Sequence, residues 1–133
     1  VGIVNHRANE AWKVKKCRFG WFDFIDDYEV FKSLLDTVAE WGRSKGMHEL
    51  NGPVGFTDFD KEGLLIEGFD YNAPMASLYT HPYYIAHYER YGLVKEADWI
   101  EYQITPPSEA PERMRRIAQL VEQRCGLHLC EGG

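Results

Sequence analysis

The sequence predicts an α/β domain with helices laid over a mixed sheet. Apolar residues recur at helical spacing in two windows, and short runs rich in aromatic and branched residues stand between glycine and proline breaks. In order, the elements read β, β, α, β, α, β, α, an alternation that packs helices against a sheet. The 133 residues suffice for one domain with a sizeable core, not for two ordinary ones.

The first strand is expected over residues 1–5, where Val1, Ile3 and Val4 are apolar, and the second over residues 17–25 (CRFGWFDFI). The polar stretch between them makes the pair a hairpin with a long loop. Asp26 is expected to cap a helix with Glu29 three residues on, as in a capping box, and Val30, Phe31, Leu34, Leu35, Val38 and Trp41 supply its apolar stripe. Gly46 ends it, and Arg43 and Lys45 suit its negative pole. A short strand at residues 48–50 stops at Asn51-Gly52-Pro53. Residues 54–74 show no periodicity around the apolar patch Leu64, Leu65 and Ile66. Pro82 can occupy the first turn of a helix over residues 81–91 that Gly92 terminates. Strand alternation resumes over residues 93–104 at Ile100, Tyr102 and Ile104. Pro106 and Pro107 break it, and residues 108–124 carry Met114, Ile117, Leu120 and Val121 at helix spacing. Arg113, Arg115, Arg116 and Arg124 on that last helix read either as an anion site or as a solvated outer face.

A formal charge of −6 argues against nucleic acid as a partner. No stretch approaches the roughly 20 apolar residues of a membrane span, and no signal peptide is visible. The three cysteines, Cys17, Cys125 and Cys130, lack C-x-x-C spacing, which points to a reducing compartment and hence the cytoplasm. Cys125, His128 and Cys130 fall short of the four ligands of structural zinc. DFDKEG at residues 58–63 imitates the start of a calcium loop, but position twelve is Phe69 rather than glutamate, so no metal is expected. His48, His81 and His87 have no metal spacing, and His81 before proline suits a helix cap. The chain opens at Val1 inside an apolar run, which suggests a beginning within a larger protein.

Several segments resemble the GNAT superfamily of acyl-CoA-dependent N-acyltransferases. VGIV looks like its third strand, FGWFDF like the fourth, the helix from Asp27 like its cofactor-side helix, and HELNGPV like the fifth strand. HYERYGL at residues 87–93 is similar to the family's L-Y-E-K-x-G-F, in which a helix ends on glycine and an apolar residue opens the sixth strand. The string GLLIEGFDYNAPMASLYTHPYYIAHYERYGLVKEADWIEYQI also looks like a subgroup of bacterial GNAT-like proteins. Together these cover most of residues 1–104, so residues 1–105 are expected to form a GNAT-like core with a mostly antiparallel sheet. Residues 106–133 then supply a helix and a tail that could lead into a further domain.

The resemblance implies that the fourth and fifth strands splay and that the pantetheine arm of acetyl-CoA or another acyl-CoA pairs with the exposed edge, at Phe22 and Phe24. It implies that Tyr88 protonates the departing thiolate as a general acid, with a small-molecule amine as acceptor. Asp23 is a candidate base from its place on the second strand. Against this stands the reading of Tyr88 as simply a packed ring among Tyr79, Tyr83, Tyr84 and Tyr91. Active relatives carry R/Q-x-x-G-x-G/A before the cofactor-side helix, where glycines let amides approach the pyrophosphate. Here the segment is IDDYEVF, and Asp27, Tyr28 and Glu29 occupy that cofactor position. The alternative expectation is therefore a non-catalytic GNAT-like domain that has lost the phosphate loop and binds a ligand, a partner domain or a second copy.

Overall fold

A computed structural model of the chain describes residues 1–57, 59–75 and 77–126. It is a mixed α/β fold with four helices and a three-stranded sheet. The chain divides into two units, Val1–Glu96 and Ala97–Gly133.

In the first unit, β1 (Gly2–Ile3) pairs antiparallel with β2 (Lys16–Phe19), with Gly2 opposite Phe19. β3 (Glu49–Asn51) pairs parallel with β2, with Cys17 opposite Leu50. The sheet order is β1-β2-β3. One antiparallel and one parallel pairing make the sheet mixed rather than mostly antiparallel among the described residues. A parallel neighbour needs a crossover, and α2 (Tyr28–Ser44) supplies it. Phe31 and Leu35 on its inner face are fully buried, and Phe19 meets them from β2. Cys17 lies beneath Gly42, and burial pushes its thiol above the ordinary range.

Four expectations need correction. The polar loop between β1 and β2 holds a helix, α1 (His6–Trp12), which buries no residue and so leaves no apolar stripe to read. Its signal is Asn5, whose side chain caps it by accepting from the Ala8 amide at 3.1 Å. The second strand ends at Phe19 rather than residue 25: Gly20 still makes the last ladder bonds, to Val1, and the chain then leaves the extended conformation at Trp21, whose φ of 44° is left-handed. The cap of α2 is Asp27, not Asp26: its Oδ1 accepts from the amides of Glu29 at 2.8 Å and Val30 at 3.3 Å. Asp26 is drawn instead to His87 Nε2, 2.8 Å away.

The fourth correction concerns residues 93–104, which form no strand. Ile100, Tyr102 and Ile104 alternate as a strand would, but no ladder partner meets them among the described residues and all three stand exposed. Alternation encodes two faces; a partner edge is still needed to make a strand. Before that segment, α3 (Tyr83–Tyr91) begins behind Pro82 and ends at Gly92, whose φ of 93° only glycine adopts without strain. The His81 side chain makes no cap there. In the second unit, α4 (Glu112–Cys125) runs near the expected bounds, with Met114, Ile117, Leu120 and Val121 all exposed. Arg115 pairs with Glu109 at 3.0 Å on the surface, where such a bond adds little.

Candidate functional site

The core of the first unit is an aromatic cluster. Phe24 sits 4.8 Å from Phe31 and 4.2 Å from Tyr84, ring centre to ring centre, and Phe22 meets Phe19 and Phe31 edge-on, each at 5.6 Å. Such geometries add to area burial. α3 closes the cluster with Tyr84, Tyr88 and Tyr91 on one face and Tyr83, His87 and Arg90 beside them.

Tyr88 is 6% exposed, with its ring 5.1 Å from Phe31, 6.0 Å from Phe19 and 6.4 Å from Phe22. Its hydroxyl is fully buried and has no hydrogen-bond partner among the described residues. Burial first, and then the neighbouring Tyr84, drives its pKa well above the ordinary phenol value. The group is thus held as a neutral donor with nothing to donate to.

The tyrosines before it are fully engaged. Tyr84 Oη donates to Asp23 Oδ1 in a very short bond and also receives the Phe24 amide at 3.4 Å, while Tyr83 Oη donates to the Phe24 carbonyl at 2.6 Å. Burial and then the Asp23 contact push the Tyr84 hydroxyl above its ordinary range. Asp23 Oδ1 also accepts from the Phe24 amide at 3.0 Å. The structure therefore brings Phe22, Asp23, Phe24 and Tyr88 around one cluster, with both backbone polar groups of Phe24 taken by side chains.

Asp27, Tyr28 and Glu29 stand together at the start of α2. The Asp27 carboxylate occupies the amides of Glu29 and Val30, the donors that a helix start offers an anion. Tyr28 stacks on Phe31 at 6.1 Å, and the Arg90 guanidinium lies 3.6 Å from its ring centre. His87 packs between Tyr28, at 5.9 Å, and Phe31, at 5.8 Å. Sequence reasoning named Tyr83 and Tyr84 only as rings packed near Tyr88, and missed His87 and Arg90 as organisers of this region. Their signal is the helical spacing 83-87-90 and 84-88-91, which sorts one helix into two interacting faces.

A polar groove of about 310 Å³ runs along α2, lined by Glu29, Lys32, Ser33, Asp36, Thr37 and Glu40, and holds no aromatic side chain. No group of three or more His, Cys, Asp or Glu could hold a metal among the described residues. Asp58 of the calcium-like segment, and His128 and Cys130 of the tail, lie outside those residues. No helix of the described residues is long and apolar enough to cross a membrane.

No family model matches the chain, and no solved structure matches it. It is similar to Protein YghO of Escherichia coli (strain K12), 37% identical over an alignment of 114 residues that covers 80% of this chain and 29% of that protein. It is also similar to the bacterial ceramide synthase of Caulobacter vibrioides (strain NA1000 / CB15N), 30% identical over 99 residues, 74% of this chain and 26% of that one. The chain thus spans less than a third of the length of these curated relatives.

Proposed function

We propose that this chain supplies part of an acyl-CoA-dependent N-acyltransferase of GNAT type, acting in the cytoplasm on a small-molecule amine. The observation that carries the reading is the Tyr88 hydroxyl: a buried phenol proton with no protein acceptor. A buried polar group left unsatisfied is costly, and a leaving thiolate is the kind of acceptor that would relieve it. The order β1-β2-β3, with α2 crossing between β2 and β3, agrees with the places of the third, fourth and fifth strands. One relative is named for making ceramide, a fatty amide of a long-chain amino alcohol, and amide formation on such an amine belongs to the same reaction class.

In this reading the amine nitrogen bonds to the acyl carbon as the carbon–sulfur bond breaks. Tyr88 Oη gives its proton to the sulfur, and the Asp23 carboxylate takes the proton lost by the amine. The start of α2 does not fit a pyrophosphate, because Asp27 already fills its amides; a CoA moiety would have to be held elsewhere.

That same observation favours a second reading, a GNAT-like domain that binds a ligand, a partner domain or a second copy without catalysis. Isothermal titration of the full chain with acetyl-CoA and with palmitoyl-CoA separates the two. Heat and a thermal shift with either thioester are expected for the transferase. Silence from both leaves only the binding module.

A further inference from the structure

We infer that α4 docks on an anionic lipid surface, lying along it rather than crossing it, whether or not the chain transfers acyl groups. Every residue from 97 to 126 is exposed, so this part of the second unit has no interior of its own. α4 nevertheless has the pattern of a helix that buries one face. Met114, Ile117 and Val121 follow at spacings of three and four with Leu120 beside them, and all four are between 43% and 63% exposed. A helix of 14 residues with nothing on its apolar face is marginal in water. The face needs a cover.

Charge and helical position decide which cover fits. α4 holds four arginines against two glutamates, in a chain whose formal charge is −6. Arg113, Ile117, Leu120 and Arg124, at spacings of four, three and four, form one row along the helix, so an arginine closes the apolar face at each end. Arg116 flanks the row one turn before Leu120, and Glu112 stands on the opposite side of the helix. Arg115 is held by Glu109 at 3.0 Å.

A second copy does not fit this row. Pairing it with itself sets Arg113 against Arg124 if the helices run antiparallel, and each arginine against its own counterpart if they run parallel; like charges oppose both. A neutral apolar groove on a protein would leave the guanidinium groups at both ends without a counter-ion. An anionic bilayer supplies hydrocarbon beneath Ile117 and Leu120 and phosphate at both ends, where arginine stems lie on the apolar layer and their heads rise to the headgroups.

The experiment floats the full chain with vesicles of phosphatidylcholine alone and of equal parts phosphatidylcholine and phosphatidylglycerol, and compares wild type with Ile117→Gln/Leu120→Gln and Arg113→Gln/Arg124→Gln. Wild type is expected to bind the phosphatidylglycerol vesicles about tenfold or more tightly than phosphatidylcholine, and less tightly as salt is raised. Loss of the two apolar side chains should weaken that binding about tenfold or more, and loss of the two arginines about thirtyfold. The substituted side chains are exposed, so near-ultraviolet circular dichroism of both variants should match wild type. Should glutamine loosen the helix in the first variant, the arginine variant still decides. A wild-type chain that stays with the buffer, equal binding to both vesicles, or undiminished binding by either variant overturns the inference. A wild-type dimer that becomes monomeric in Ile117→Gln/Leu120→Gln assigns the face to a second copy and overturns it as well.

Discussion

Replacing Tyr88 by phenylalanine removes one oxygen and leaves the ring against Phe19, Phe22 and Phe31. In the folded chain that oxygen has lost water and gained no partner, a deficit of roughly 1–3 kcal/mol for a neutral buried group. Ring packing is conserved, so Tyr88→Phe should stabilise the first unit, Val1–Glu96, by about 1 kcal/mol. For a unit of this size that is a rise of roughly 4–8 °C in the thermal midpoint. Urea unfolding of the two proteins side by side should show a higher midpoint with unchanged slope, as expected when stability rises without a change in exposed area. If Tyr88 serves as the acid, the same variant loses turnover while keeping its affinity for acyl-CoA. Gaining stability while losing rate is the mark of a site maintained against packing. A loss of 1 kcal/mol or more in Tyr88→Phe would refute the reasoning, since it would mean that the hydroxyl is satisfied in the folded protein.

Two further outcomes follow from the groups around that helix. Asp27→Ala removes the carboxylate that holds the Glu29 and Val30 amides; it should cost about 1 kcal/mol in urea unfolding, whereas Asp26→Ala, which breaks only a surface contact to His87, should cost less. Tyr91 donates to Asp36 at 2.7 Å, and burial together with that bond pushes its hydroxyl from 10.0 up to about 12. The unfolded phenol releases its proton first, so this contribution is complete below pH 10.0 and is lost as pH rises toward about 12. Thermal midpoints recorded across that window should fall less steeply in Tyr91→Phe than in wild type.

What the sequence made legible were elements whose information is local. α2 announces itself through Phe31, Leu35 and Val38 and the terminal Gly46; α3 through Pro82 and Gly92; and β3 through its stop at Asn51-Gly52-Pro53. The misread elements depend on contacts far along the chain. Asp26 and Asp27 are indistinguishable as caps until His87, 61 residues from Asp26, claims the first of them. Residues 20–25 look like a continuation of β2, but the hydrogen bonds of Phe24 run to Tyr83 and Tyr84 on α3 rather than to another strand. Residues 93–104 have the pattern of a strand and no edge to complete it.

The same long-range contacts decide what the candidate site can bind. At the start of α2 the amides are filled by Asp27, and at Phe24 both backbone groups are filled by tyrosines and Asp23. Polar recognition at those two places would require breaking bonds the protein already makes. Tyr88 Oη differs, because a ligand there would displace no hydrogen bond, though it would have to part the rings that bury the group. If the acyl-transfer reading holds, such a ligand would gain one polar contact at Tyr88 Oη and apolar contact with the rings around it. In the acyl-transfer reading, that balance would favour a thioester with a hydrocarbon tail over a highly charged headgroup bound at the helix start, where Asp27 already holds the amides.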